Sequence, residues 1–160
     1  MKKINIYMDM DGTIANLYSY KNWLKYLTLE SIAPYEFCKP MVNMSELIEL
    51  LKSPVVNKVY IVSWLSKNGS QNYNRKVRYS KLRWLINNGL DSSIIYKYII
   101  VPYGTNKAES IGKQLNKNDL LLDDEENNRI IWNEAGGTAL DEKNLIEKMK
   151  KYIDTYAEMC

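Results

Sequence analysis

The chain of 160 residues carries 22 lysines and arginines against 19 aspartates and glutamates, no histidine, and two cysteines, Cys38 and Cys160. Its length suits one domain, and the net charge of +3 does not by itself indicate a polyanionic partner. The lack of histidine excludes the usual zinc-hydrolase ligands, the Ser-His triad and the commonest general base. The distant cysteines favour neither a disulfide framework nor a zinc site. Since no signal peptide or membrane span is visible, we expect a cytoplasmic protein without a membrane partner.

Apolar runs alternate with amphipathic segments, which is typical of a parallel sheet with helices on both faces. We therefore predict an α/β fold, a three-layer α/β/α sandwich in a single domain over residues 1–160. The predicted strands cover residues 3–9, 58–63, 97–101, 119–123 and 137–140, and the predicted helices cover 43–53, 73–88, 106–116, 125–134 and 142–157. In the last helix Asp141 is the predicted N-cap, and the predicted apolar stripe consists of Leu145, Met149, Tyr152 and Tyr156.

The first predicted strand ends in two carboxylates. Its apolar residues lead into Asp9 and Asp11, which Gly12 follows. A buried carboxylate is costly unless it is paired or bound to a metal, and Mg²⁺ prefers hard oxygen ligands. Gly12 permits a sharp turn beyond the carboxyl end of the strand. The pattern predicts Mg²⁺-assisted phosphate chemistry at this end of the sheet.

Four stretches resemble the motifs of the haloacid dehalogenase-like (HAD) phosphohydrolases, in the same order. The run 6–13 resembles motif I, an apolar strand followed by Asp-x-Asp-Gly-Thr, and Ile61-Val62-Ser63 resembles motif II. Lys107 resembles motif III, and Leu121-Leu122-Asp123-Asp124 resembles motif IV. Within that superfamily, these stretches look most like the 5'(3')-deoxyribonucleotidase family and its compact bacterial relatives.

The resemblance implies a role for each matched residue. Asp9 would be the nucleophile that forms an aspartyl-phosphate, and Asp11 would be the general acid and base. Ser63 would bind a phosphoryl oxygen, and Lys107 would neutralise charge on the phosphoryl group and on Asp9. The neighbours of these motifs, Thr13 and Trp64, are candidate substrate-binding residues.

The expected Mg²⁺ ligands come from both carboxylate-bearing motifs. They are Asp9, the backbone carbonyl of Asp11, and Asp123, with Asp124 behind Asp123 or in its place. Alternatively, the acidic run at the end of the strand predicted over 119–123 only favours the first turn of the next helix. That alternative explains Glu125 and Glu126 but not Asp123.

Residues 16–41 fit the alternating pattern least well and are rich in aromatic side chains. The resemblance implies a small helical lid inserted here, over the catalytic carboxylates. A base stacks on an aromatic ring for about 1–3 kcal/mol, so we expect one or two of Tyr18, Tyr20 and Trp23 to contact a nucleoside. The other rings would pack the lid onto the core.

The helix predicted over 73–88 carries a basic series, and two interpretations stay open for it. The series could be a nucleic-acid surface or the solvated face of an amphipathic helix, and we favour the second. Nucleic acid is therefore not the expected partner. The series consists of Arg75, Lys76, Arg78, Lys81 and Arg83.

Taken together, the residues and the resemblance predict a Mg²⁺-dependent phosphomonoesterase for a small phosphate ester, which we expect to be a (deoxy)nucleoside monophosphate. One alternative is a phosphatase for the 3' ends of nucleic acids. Another is a non-catalytic nucleotide-binding regulatory module, against which the intact Asp9, Asp11, Lys107 and Asp123 argue. A phosphotransferase is less favoured, because transfer requires the exclusion of water and the lid is small.

Overall fold

Five strands form a single parallel sheet in a computed structural model that describes residues 3–158. Their bounds are Ile4–Met8 (β1), Val56–Trp64 (β2), Lys97–Val101 (β3), Asp119–Leu122 (β4) and Thr138–Leu140 (β5). The spatial order is β3-β2-β1-β4-β5, so β1 lies in the centre of the sheet. The predicted strands are confirmed, and their ends differ from the prediction by at most two residues.

Helices occupy most of the connections between the strands. They are Trp23–Thr28 (α1), Ala33–Phe37 (α2), Met44–Leu51 (α3), Gln71–Asn87 (α4), Lys107–Ser110 (α5), Glu126–Glu134 (α6) and Leu145–Glu158 (α7). A short 3₁₀ helix, Leu17–Ser19, precedes α1.

Successive strand residues pack on opposite faces of the sheet, and helices cover both faces. Leu120 and Leu122 of β4 join the larger core, to which α3 and α7 contribute, whereas Leu121 joins Trp132 of α6 on the other face. This alternation follows from the two-residue period of a strand. Strands buried on both faces appear in a sequence as nearly continuous apolar runs. The predicted three-layer α/β/α sandwich is confirmed.

The helix predicted over residues 106–116 is much shorter than expected. It spans only Lys107–Ser110, and Gly112 follows with a φ of 71°. A positive φ is incompatible with a continuing right-handed helix, and glycine adopts it at little cost. The apolar residues after this point therefore pack without forming a helix.

The predicted start of α7 is also wrong. The helix begins at Leu145, so Asp141 is too far upstream to be its N-cap. The Asp141 carboxylate instead accepts hydrogen bonds from the backbone N–H of Lys143 and from the Lys148 ammonium. The apolar stripe of this helix is present, with Ile153 rather than Tyr152 among its buried residues.

Residues 16–41, called the lid segment below, leave the sheet after β1 and return before α3. Two backbone hydrogen bonds join their ends: Asn16 N donates to Lys39 O at 2.8 Å, and Met41 N donates to Ile14 O at 2.8 Å. The segment contains the 3₁₀ helix, α1 and α2. It is therefore a short insertion at the carboxyl end of β1, and hydrogen bonds hold its two ends together.

One half of the lid segment is attached to α4. The Tyr73 hydroxyl donates to Ser31 O at 2.7 Å, and the Trp84 indole donates to Cys38 O at 2.8 Å. Helix α1, in contrast, contains no buried residue. The segment thus combines a part fixed on α4 with an exposed helix.

None of the helices in residues 3–158 has the length and hydropathy that a membrane span requires. Cys38 is buried and unpaired, and Cys160 lies outside the described residues.

Candidate active site

The turn after β1 brings Asp9 and Asp11 to the carboxyl end of the sheet. Asp9 N donates to Leu122 O at 2.9 Å, which continues the pairing of β1 with β4. The chain then turns, with Ile14 N and Ala15 N both donating to Met10 O, at 3.0 and 2.9 Å. Asp9 is only 6% exposed. The sequence placed these carboxylates correctly at the strand end.

Three carboxylates meet at this point. One carboxylate oxygen from each of Asp9, Asp123 and Asp124 lies within 4.8 Å of the other two. The buried Thr13 hydroxyl lies 3.4 Å from Asp9 Oδ2 and 3.2 Å from Asp124 Oδ1, and it accepts a hydrogen bond from Asp124 N at 3.1 Å. Thr13 therefore connects the two carboxylate-bearing loops.

Lys107 neutralises part of this cluster from the first residue of α5. Its ammonium lies 2.8 Å from Asp9 Oδ1 and 2.6 Å from Asp123 Oδ2, and the side chain is 3% exposed. Burial alone would lower the pKa of Lys107, but the charges of Asp9 and Asp123 outweigh it and raise the pKa. The lysine therefore stays charged between the two carboxylates.

Asp123 is fully enclosed and held by several donors. Asn128 Nδ2 lies 3.3 and 3.2 Å from its two carboxylate oxygens, and Glu125 N donates to Oδ1 at 2.9 Å. Arg129 supports the same loop, because its guanidinium donates to the backbone carbonyls of Asp123 and Asp124 at 2.8 and 2.7 Å. These bonds fix the orientation of the carboxylate.

The acidic cluster carries more negative charge than Lys107 neutralises. Burial raises the pKa of both Asp123 and Asp124, and repulsion from Asp9 raises it further. Such shifts mean that additional positive charge would stabilise the ionised carboxylates. The residues therefore fit a divalent cation, which prefers this all-oxygen environment.

A second buried lysine pairs with Asp11. Lys81 of α4 is 1% exposed, and its ammonium lies 2.5 Å from Asp11 Oδ2 and 2.9 Å from Ser63 Oγ. Burial raises the pKa of Asp11, Lys81 opposes that rise, and the charge of Asp9 adds to it. With four carboxylates ionised, Lys81 and Lys107 leave two negative charges uncompensated.

The basic series on α4 was predicted to be a solvated face, and this prediction is wrong at one of its residues. Arg75, Lys76, Arg78 and Arg83 are exposed, but Lys81 is buried. It shares the inward face with Val77, Trp84 and Leu85. A signal was available in the sequence, because a lysine at an apolar position of a helical period is expected to face a partner.

A cavity of about 450 Å³ opens beside the carboxylates. The cavity is lined by Asp9, Asp11, Asp124 and Lys107 and by residues of the lid segment. Of the three lid aromatics named as nucleoside contacts, Tyr18 and Trp23 line the cavity, with ring centroids 5.0 Å apart. Tyr20 is not among the lining residues; it packs against the main core and against Tyr26.

Trp64 also lines the cavity, and its contacts define its position. Its indole N–H donates to Thr105 O at 2.9 Å, and its ring centroid lies 4.9 Å from that of Tyr103. The Lys107 ammonium is 5.1 Å from the Trp64 ring centroid, within the range of a cation–π contact. Trp64 thus holds the loop that leads to Lys107 next to β2.

Ser63 and Asp123 are near the site but do not line the cavity. Both side chains are fully buried, Ser63 against Lys81 and Asp123 against Lys107. Besides Lys81, the sequence-based prediction missed Asn128, whose only signal was its position five residues after Asp123, in the helix that follows the acidic run.

No protein-family model matches the sequence, and no curated protein matches it. The structure is similar to crystal structures of the HAD family enzyme BT-2542 from Bacteroides thetaiotaomicron. One of them is 14% identical with a TM-score of 0.54, over 88% of this chain and 94% of that chain. Another, a complex with magnesium and inorganic phosphate, is 14% identical with a TM-score of 0.51, over 87% and 93% of the two chains. At this identity the similarity concerns the fold, and it confirms the predicted α/β class.

Proposed function

We propose that this chain is a Mg²⁺-dependent phosphomonoesterase of the HAD type, which hydrolyses a small phosphate ester through an aspartyl-phosphate on Asp9. The observation that carries the proposal is the position of the Asp9 carboxylate. It lies 2.8 Å from the Lys107 ammonium, belongs to an acidic cluster, and lines a cavity. The fold similarity to an enzyme crystallised with magnesium and phosphate supports the same chemistry.

The Mg²⁺ ligands would be Asp9, Asp124 and the backbone carbonyl of Asp11. Asp124 is preferred over Asp123 because it borders the cavity, whereas both oxygens of Asp123 already accept hydrogen bonds from Lys107, Asn128 and Glu125 N. Asp123 would then position Lys107 and would not bind the metal directly. A bound Mg²⁺ would supply the two missing positive charges and reduce the repulsion between the carboxylates and the substrate phosphate.

In the first step a carboxylate oxygen of Asp9 bonds to phosphorus, and the bond from phosphorus to the leaving oxygen breaks. Asp11 gives a proton to that oxygen. In the second step Asp11 takes a proton from water, the water oxygen bonds to phosphorus, and the Asp9–phosphorus bond breaks. Lys107 stabilises the charge that develops on the phosphoryl oxygens.

The proposed substrate is a nucleoside monophosphate. The cavity is large enough for a group beyond the phosphate, and four aromatic residues line it, namely Tyr18, Trp23, Trp64 and Tyr103. Aromatic walls of this kind suit a flat base. The 5'(3')-deoxyribonucleotidase resemblance points to the same substrate class.

A phosphate-release screen tests this proposal. Purified protein is assayed with Mg²⁺ or with EDTA against nucleoside monophosphates, sugar phosphates, p-nitrophenyl phosphate and 3'-phosphorylated oligonucleotides. We expect Mg²⁺-dependent release, its loss in Asp9→Asn, and full activity in Asp154→Asn, a matched change at an exposed position of α7. Full activity in chelated buffer, or in Asp9→Asn, would contradict the mechanism. Preference for sugar phosphates or oligonucleotides would contradict only the proposed substrate.

A further inference from the structure

We propose that Lys81 is a positioning residue that aligns Asp11 and Ser63 together for phosphoryl transfer. This inference rests on the proposed function. The structural basis is that one buried ammonium on α4 contacts both the proposed acid–base carboxylate and the hydroxyl proposed to bind the phosphoryl group.

The location of Lys81 is tightly constrained. Its side chain is 1% exposed, and its ammonium lies 5.2 Å from the Tyr35 ring centroid in the lid segment. Trp84, on the same inward face of α4, is tied to the lid segment by the hydrogen bond to Cys38 O. The lysine therefore approaches the site from a helix that is held against the lid segment.

The contact with Ser63 determines where the serine proton points. A serine hydroxyl has one proton to donate and two lone pairs that accept. Because the Lys81 ammonium can only donate, Ser63 Oγ accepts from it, and the serine proton stays available for another acceptor. A phosphoryl oxygen bound at the end of β2 would be that acceptor.

The contact with Asp11 fixes the carboxylate in a similar way. The Lys81 ammonium occupies Oδ2 of Asp11 at 2.5 Å, which leaves Oδ1 as the oxygen that exchanges a proton with the leaving group and later with water. Asp11 lines the cavity, whereas Lys81 does not. Lys81 thus acts on the reaction only through the two groups that it orients.

The test compares kcat/KM on two phosphate esters whose leaving groups differ in their need for a proton. The p-nitrophenolate group leaves without protonation, whereas the alkoxide of an alkyl phosphate needs an acid. In Lys81→Met we expect kcat/KM to fall by about 100-fold or more on glycerol phosphate but by less than about 10-fold on p-nitrophenyl phosphate. Lys81→Arg should restore part of the loss, and Lys76→Met, at an exposed lysine of the same helix, should change neither value.

A second comparison separates alignment from general support of the fold. In an Asp11→Asn background, Lys81→Met should cause no further change in the ratio of the two kcat/KM values, because Asp11 is the one of the two oriented groups whose contribution depends on the leaving group. The double variant should also regain thermal stability relative to Lys81→Met, since no unpaired carboxylate stays buried.

The possible results are distinguishable. Equal losses on both esters, or a further change in the ratio of the two kcat/KM values when Lys81→Met is added to Asp11→Asn, would overturn the alignment of Asp11 by Lys81 while leaving the phosphatase proposal intact. If the wild-type protein releases no phosphate from any ester, the proposed function fails, and this inference fails with it.

Discussion

Gly12 lies so close to Asp124 that a Cβ atom on the glycine would sit 2.3 Å from Asp124 Oδ2. The same atom would lie 2.7 Å from the ring of Tyr18, and the φ of Gly12 is 80°. Both facts favour glycine: the first because a Cβ would force the Asp124 and Tyr18 side chains to move, the second because residues with a Cβ rarely adopt this conformation. The turn that carries Asp9 and Asp11 therefore packs directly against the loop after β4.

We expect Gly12→Ala to destabilise the protein by about 1–3 kcal/mol and to displace Asp124. Urea unfolding measures the first effect, and the shift of Tm on adding Mg²⁺ measures the second. The matched control is Gly112→Ala, which has a φ of 71° but no atom within 4 Å of the added Cβ. It should show backbone strain without loss of the Mg²⁺ effect. Equal effects of Mg²⁺ on the two variants would mean that the collision with Asp124 is relieved elsewhere.

Metal binding should be measurable without turnover. A ligand that binds only the folded state stabilises it by about 2.7 kcal/mol at a concentration of 100 times its Kd, so Mg²⁺ should raise the Tm of the wild-type protein. In Asp124→Asn we expect a smaller Mg²⁺-induced shift. The Tm of this variant in chelated buffer should be at least that of the wild type, because a half-buried carboxylate that is repelled by its neighbours is gone.

The control for this measurement is Asp154→Asn, which removes a carboxylate from an exposed position. It should leave both the chelated Tm and the Mg²⁺-induced shift unchanged. An unaltered shift in Asp124→Asn, together with a reduced shift in Asp123→Asn, would reverse the assignment of the direct ligand.

Asp119 supports the opposite end of the central strands. Its buried carboxylate accepts hydrogen bonds from Lys113 Nζ at 2.6 Å, Asn5 Nδ2 at 2.9 Å and Asn116 N at 3.0 Å. Burial opposes ionisation of this group, but these bonds outweigh it and lower the pKa of Asp119. The ionised carboxylate therefore stabilises the folded state above its unfolded pKa of about 3.9. That contribution is lost as the pH falls through the lower, folded-state pKa.

We expect Asp119→Asn to reduce the free energy of unfolding at pH 7 by about 1–3 kcal/mol. The difference from the wild type should narrow below about pH 4, where the wild-type carboxylate takes up a proton. Urea unfolding at pH 7 and at pH 3 measures both values. A constant difference at the two pH values would show that the loss comes from packing rather than from the charge.

The sequence predicted the sheet well because its strands are buried on both faces. Four consecutive residues of β4 are buried, so the apolar pattern is strong, and the acidic residues directly follow it. The length of α5 was harder to predict, because the helix ends before Gly112, and a glycine in a sequence does not by itself indicate a helix end. Glycine also occurs within helices, at a modest cost. The N-terminal boundary of α7 was missed because Asp141 forms a local turn instead of a cap.

The sequence predicted the positions of the carboxylates that follow the strands, but it did not predict the contribution of α4. Asp9 and Asp123 follow apolar strands, and each position could be derived from one short segment. Lys81 lies 70 positions after Asp11 and 18 after Ser63, so its role depends on how α4 packs against β2 and the lid segment. That packing is tertiary information, and only the apolar neighbours of Lys81 indicated it.

The lid segment contributes aromatic side chains to the cavity, and we expect these to select the substrate. Trp23 lines the cavity and contacts Tyr18, whereas Tyr20 packs against the core. We expect Trp23→Leu to raise KM for a nucleoside monophosphate several-fold and to leave kcat on p-nitrophenyl phosphate nearly unchanged, because the generic ester needs only the phosphate site. Tyr20→Leu is the matched control, and it should lower Tm without changing the ratio of kcat/KM between the two substrates. A loss of equal size on both substrates in Trp23→Leu would mean that this ring supports the lid segment and does not contact the nucleoside.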